Sequence, residues 1–109
     1  MDHLPTPEER RLQFDNELRT LLDTTNTYFQ PPATVRMSYP CVVYNRLSMD
    51  EKRADDRHYT MRPLYSLTVI DRNPDSDWVQ RLLDHFPYSR YDRHYVADGL
   101  NHDTLSIYY

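Results

Sequence analysis

The stretch YSLTVIDRNPDSDWVQRLLDHFP, Tyr65 to Pro87, changes its hydrophobic period halfway along. Tyr65, Leu67 and Val69 alternate with Ser66 and Thr68, the period-two signature of a strand with one buried face. From Trp78 the apolar residues recur as Trp78, Val79, Leu82, Leu83 and Phe86, a helical stripe that Pro87 stops. The seven residues from Asp71 to Asp77 are polar and turn-forming. Ser76 or Asp75 can cap the helix, and Asp77 favours the positive end of its dipole. A strand followed at once by a helix predicts an α+β domain, and the rest of the chain is placed around this unit.

On its N-terminal side the strand extends back to Tyr59, with Pro63 suggesting a bend or an edge. Before it, Tyr39-Pro40-Cys41-Val42-Val43-Tyr44-Asn45 is β-branched and aromatic, a second strand entered through proline. Between the two, Ser48 to Arg57 carries Asp50, Glu51, Lys52, Arg53, Asp55, Asp56 and Arg57, with only Met49 and Ala54 apolar. That composition predicts an exposed loop, mobile in the isolated subunit because it cannot anchor itself. At the start of the chain, Thr6-Pro7-Glu8-Glu9 is a helix-capping sequence. Leu12, Leu18 and Leu22 mark the stripe of that helix, flanked by Phe14 and Leu21, and a proline-bearing connector follows through Pro31 and Pro32. After Pro87, Tyr91–Ala97 and Asp103–Tyr109 read as a hairpin around Asp98-Gly99-Leu100-Asn101. The expected order is α-β-β-α-β-β: a mostly antiparallel four-stranded sheet with both helices on one face, as a single domain over residues 1–109.

The chain has 109 residues, 39% of them apolar and 28% charged, enough for one core and too apolar for a disordered segment. A net charge of −4 argues against a protein whose main task is gripping nucleic-acid phosphates. No apolar run approaches the length of a membrane span, and MDHLPTPEERR lacks the apolar centre of a secretory signal. One cysteine excludes an internal disulfide, and the single glycine, Gly99, excludes glycine-rich phosphate loops. Ten tyrosines in so short a chain suit either a tyrosine-built core or surfaces that exchange water for a partner.

Reactive constellations are weak. Asp71 to Asp77 begins like a calcium loop, but Ser76 stands where glycine should turn the chain, and Leu82 replaces the bidentate glutamate. His94 and His102, with Asp98 or Asp103, would be the best metal ligands, on an open hairpin that offers no supporting shell. Cys41, beside Val42 and Val43, reads as a small core residue, because neither a helix N-terminus nor a cation is at hand to activate it. No acyl-transfer or metalloprotease signature occurs. The expectation is no catalytic activity, no metal and no cofactor.

Three segments carry a resemblance. YPCVVYNRL at Tyr39–Leu47, the YSLTVIDRNPDSD unit at Tyr65–Asp77, and RYDRHYVADGLNHD at Arg90–Asp103 together resemble the tail terminator (tail completion) proteins of long-tailed bacteriophages. The resemblance covers about the whole chain, with the first helix compatible but uninformative. It implies a structural virion protein of the tail and neck, assembled in the host cytoplasm. Such a protein forms a ring, usually of six copies, at the head-proximal end of the tail tube, stops tube growth and joins the tail to the head. Its implied partners are further copies of itself, the tail tube protein and a head-completion or connector protein, with DNA passing through unread and no membrane involved. The alternatives are another neck component, a head-completion stopper or connector adaptor, and beyond these a small non-phage binding module.

The resemblance implies that the charged loop reaches the tube or a neighbour, and Tyr and Arg enrichment at interfaces adds a surface on the hairpin. The expected contact residues are therefore the charged loop residues Asp50, Glu51, Lys52, Arg53, Asp55, Asp56 and Arg57, and a surface of Tyr91, Arg93 and Tyr95 on one hairpin arm with Tyr108 on the other. Tyrosine in place of Leu or Val on such a surface, and like charge among copies, predict a monomer or weak oligomer in dilute solution that closes only on a tail.

Overall fold

The computed structural model describes residues 5–53 and 59–109, with residues 50–53 and 59–61 described by their backbone alone. Helix α1 (Pro7–Leu22) starts as its sequence requires. Thr6 Oγ1 accepts the Glu9 N–H at 3.1 Å and Glu9 Oε1 accepts the Thr6 N–H at 3.3 Å, so each end of the box satisfies the other's free donor. The helix ends at Asp23, whose left-handed backbone (φ 50°) returns its N–H to the Arg19 carbonyl. Phe14, Leu18 and Leu22 form the buried stripe. Leu12, expected among them, is 53% exposed, because six residues of helix turn it roughly 120° away from Leu18.

Five strands form one mixed sheet: β1 (Thr27–Phe29), β2 (Cys41–Arg53), β3 (Tyr59–Asp71), β4 (Ser89–Ala97) and β5 (Leu100–Tyr108), in the spatial order β1-β2-β3-β5-β4. Helix α2 (Trp78–His85) connects β3 to β4. The α+β class stands as expected, and the sheet is larger than the four strands read from the sequence. The added strand, β1, is parallel to β2 and pairs Thr27, Tyr28 and Phe29 with Val42, Val43 and Tyr44. Three residues are too few to display a period, and these lie inside a stretch of cap and turn formers.

The reading of Ser48–Arg57 as a loop is also corrected. β2 and β3 remain paired, in register, out to Arg53 opposite Tyr59, so Ser48 to Arg53 are strand. Asp55, Asp56 and Arg57 lie outside the described residues. A strand held by pairing with one partner strand needs no apolar alternation of its own, so its sequence looks like a solvated loop. The final hairpin is tighter than expected. It turns on Asp98 and Gly99 alone, at φ 53° and 73°, and β5 begins at Leu100 rather than Asp103.

Both helices cover one sheet face. Phe14, Leu18, Leu22, Leu82 and Phe86 pack there on Val42, Tyr44, Tyr65, Leu67, Val69, Leu105 and Ile107. The register explains the selection: Val42 lies opposite Val69, Tyr44 opposite Leu67, and Leu67 opposite Leu105, so one row of side chains crosses three strands. Phe14 stacks on Tyr65 at 4.6 Å and meets the edge of Tyr44 at 5.5 Å, so phenylalanine and tyrosine share the aromatic core.

Candidate interaction surfaces

Two parts of the sheet reach beyond what the rest of the chain covers. The first is the outer half of the β2–β3 ribbon. β1 pairs with β2 only at Val42–Tyr44, and β5 pairs with β3 only from Leu64 to Asp71. Beyond those points the two strands pair with each other alone, a ribbon of marginal stability by itself. Asp50, Glu51, Lys52 and Arg53 lie on its β2 side.

The second part is the β4–β5 end, where the expected surface splits in two. A bulge between Tyr91 and Arg93 inserts Asp92 into β4, so the alternation resets there. Tyr91 therefore shares the helix-bearing face with His94 and Asp103. Its hydroxyl donates to Asp103 Oδ1 at 2.8 Å, and His94 Nδ1 lies 2.9 Å from the same oxygen. The hydrogen bond to Asp103 raises the Tyr91 pKa, because ionising the phenol would set two negative charges together. Arg93 and Tyr95 point to the helix-free face. There Tyr95 stacks on His102 at 4.7 Å, and the Arg93 guanidinium lies 4.9 Å from the Tyr95 ring. Tyr108 shares that face by register but sits at the other end of β5, opposite Leu64. Arg62 covers the Tyr88 ring near that end, at 4.2 Å.

The structure thus unites Arg93 with Tyr95, adds His102, and places Tyr91 across the sheet. Period-two reading cannot see this, since one bulged residue reverses every side chain beyond it. The same register separates the two candidate metal ligands: His94 faces the helices' side and His102 the other. Among the described residues, no group of three His, Cys, Asp or Glu side chains is arranged to hold a metal ion.

The strand-to-helix turn uses its oxygens internally. Asp71 Oδ1 accepts the Asn73 N–H at 3.0 Å, Asn73 Oδ1 accepts the Asp75 N–H at 3.0 Å, and Ser76 Oγ accepts the Trp78 N–H at 3.3 Å. Asp77 pairs with Arg81 at 2.9 Å. Cys41 is fully buried, and burial, with the Asp71 charge adding to it, pushes its thiol up to about 11.

An extensive polar network joins α1 to the sheet. Asp15 Oδ1 accepts from the Tyr44 hydroxyl at 2.7 Å and from the Thr27 hydroxyl at 2.9 Å, while Asp15 Oδ2 meets Arg19 Nε at 2.9 Å. Nearby, the Tyr65 hydroxyl is buried with no hydrogen-bond partner among the described residues, and burial raises its pKa against the opposing fields of Arg46, Arg11 and Arg10. The Asp15 network lies within the helix–sheet packing and fastens it.

No protein-family model and no curated protein matches the chain. No helix among the described residues is long and apolar enough to cross a membrane.

Proposed function

We propose that this chain is a structural assembly subunit of a phage tail neck, a tail terminator that closes into a ring, six copies in the expected form, on the head-proximal end of the tail tube. The observation that carries the reading is the β2–β3 ribbon. Among the described residues it extends past the strands that flank it, β1 and β5, and the molecule measures 51 × 27 × 22 Å. A ribbon of that kind is stabilised by packing against something else, as expected for a part that reaches a neighbour or the tube. The resemblance of Tyr39–Leu47, Tyr65–Asp77 and Arg90–Asp103 to terminators supplies the particular role.

On this reading the partners are further copies, the tail tube protein and a head-completion or connector protein, and no reaction is catalysed. Arg93 and Tyr95 contribute to a contact surface on the helix-free face, and the subunit stays monomeric or weakly associated until a tube end gathers the copies. Each copy then touches both tube and neighbour, and linked contacts make modest interfaces sufficient. Electron microscopy of tails assembled with and without the protein tests this. Tails of normal length that join heads only when it is supplied support termination, whereas tails already capped and head-competent without it eliminate the role.

A further inference from the structure

Among the described residues the sheet has two open edges, and they belong to the same chain. One is β4, nine residues with no strand on its far side. The other is the outer edge of β2. There β1 covers Val42–Tyr44 and the Gln30 side chain takes the Arg46 N–H at 3.2 Å, after which Leu47 to Arg53 has no strand on that side. Both edges carry large exposed apolar side chains: Val96 on β4 is 64% exposed and Leu47 on β2 is 59% exposed. Both also carry a bulge, between Tyr91 and Arg93 and between Arg46 and Ser48. Bulges and charges blunt indiscriminate edge pairing, so these edges suit a selective partner.

The strand directions specify which partner. β2 is antiparallel to β3, β3 to β5 and β5 to β4, so β4 runs opposite to β2. A second copy that continues the sheet, turned about an axis roughly along the strands, keeps those directions. Its β2 edge then meets β4 as an antiparallel pair, the arrangement with the straighter hydrogen bonds. We propose that β4 of one copy pairs with the Leu47–Arg53 edge of the next, head to tail, and that this pairing forms the seam between ring subunits. The proposal rests on the ring reading for its setting and names the contact through which that ring closes.

One consequence follows from β1. Within the chain Tyr95 lies level with Cys41, whereas the seam places the Ala97 end of β4 beside Leu47 of the neighbour, beyond β1. Ala97 lies two residues past that level on the far side from Leu47, so each copy is displaced along the strands by about 25 Å relative to the last, at roughly 3.3 Å per residue. A displacement of that kind is what a sheet needs in order to close rather than run on flat. Pairing two blunted edges is also a weak contact, consistent with a subunit that waits for the tube.

The test uses the full chain with one cysteine added at an exposed position, Leu47→Cys or Val96→Cys, leaving the buried Cys41 in place. An antiparallel pair brings facing Cα atoms to within disulfide range. Under mild oxidation at high protein concentration, a mixture of differently tagged single variants should give mixed disulfide dimers, roughly tenfold over like-with-like dimers, as a specific contact raises the local thiol concentration. The double variant Leu47→Cys/Val96→Cys should give a ladder of linked copies. Like-with-like Val96 dimers in excess would replace the seam by a two-fold edge contact, and cross-linking no greater than for a Leu12→Cys/Val35→Cys control would overturn it. The measurement needs only purified protein. Specific cross-linking by a protein that tails do not need would keep the seam and remove the terminator role. The opposite pair of results would remove only the seam.

Discussion

The hydroxyl of Tyr44 is a fully buried donor whose hydrogen bond ends on a carboxylate, and replacing either partner should have unequal effects. Tyr44 is 0% exposed and its hydroxyl lies 2.7 Å from Asp15 Oδ1. Burial first, then the hydrogen bond to Asp15, raises its pKa, so it stays protonated and donating. Tyr44→Phe keeps the ring contacts with Phe14 and Tyr65 and removes one charge-assisted bond. Asp15 retains Thr27 and Arg19 as partners, so the expected loss is about 1.5 kcal/mol. Asp15→Ala removes the same bond, strands the Tyr44 hydroxyl in the core and releases Thr27 and Arg19. Stranding a buried hydroxyl adds about 1–3 kcal/mol to the lost bond, and the other losses about 1 kcal/mol more, giving roughly 3.5–5.5 kcal/mol. Against a total stability of about 5–15 kcal/mol that is a large fraction. Urea denaturation followed by circular dichroism measures all three variants, and the double variant Asp15→Ala/Tyr44→Phe should cost less than the sum because its core hydroxyl is gone. If Asp15→Ala costs no more than Tyr44→Phe, or if the two changes simply add, the network does not fasten α1 to the sheet and the assignment fails.

Alkali should destabilise the fold. Cys41 is held near 11 and Tyr109 near 12 by burial, so between about pH 8.5 and those values the unfolded chain loses protons that the folded chain keeps, and stability falls as pH rises. A flat unfolding free energy from pH 8 to 10.5 would contradict this. The same burial predicts that Cys41 reacts with a thiol reagent at pH 8 only as fast as the protein opens; prompt reaction of the native protein would refute it. Gly99→Ala should cost about 1 kcal/mol in thermal or urea unfolding, because φ is +73° while an added Cβ would meet nothing within 4 Å. A neutral effect would mean the turn is not held in this conformation. Thr6→Ala should also cost about 1 kcal/mol, and a Thr6→Ser variant should recover most of it, since the hydroxyl rather than the methyl caps α1.

The elements that could be read from the sequence are those whose local and tertiary demands agree. In Tyr65–Val69 the alternation matches a strand with one face under the helices, and in Trp78–Phe86 the stripe matches a helix on that face. The Thr6–Glu9 box needs only its own four residues. Cys41 was legible as a buried residue because its neighbours are β-branched and no activating group is near. Where the outcome depended on a partner strand, the pattern was silent. β1 is a strand only because Val42–Tyr44 offers it an edge, and the outer ribbon is a strand only because each half pairs with the other.

The candidate contact surface shows the same limit at the scale of one residue. Tyr91, Arg93 and Tyr95 are spaced to share a face, and they would do so in an unbroken strand. Asp92 is the residue that breaks it. Its carboxylate accepts the Ser106 hydroxyl at 2.6 Å and takes the Arg90 guanidinium at 3.0 Å, so the inserted residue is held by both strands rather than left loose. Because the Asp98-Gly99 turn fixes the register of everything between it and the bulge, Arg93 and Tyr95 keep their face and Tyr91 is the one that changes sides. The bulge therefore makes two surfaces from one sequence stretch: a tyrosine joined to Asp103 and His94 beside the helices, and an arginine–tyrosine–histidine stack on the open face. A strand that presents different chemistry on its two faces, while its own edge stays unpaired, can touch a neighbour along the edge and still leave the open face for a different partner. That combination suits the proposed ring subunit, which would meet both a neighbour and a further partner.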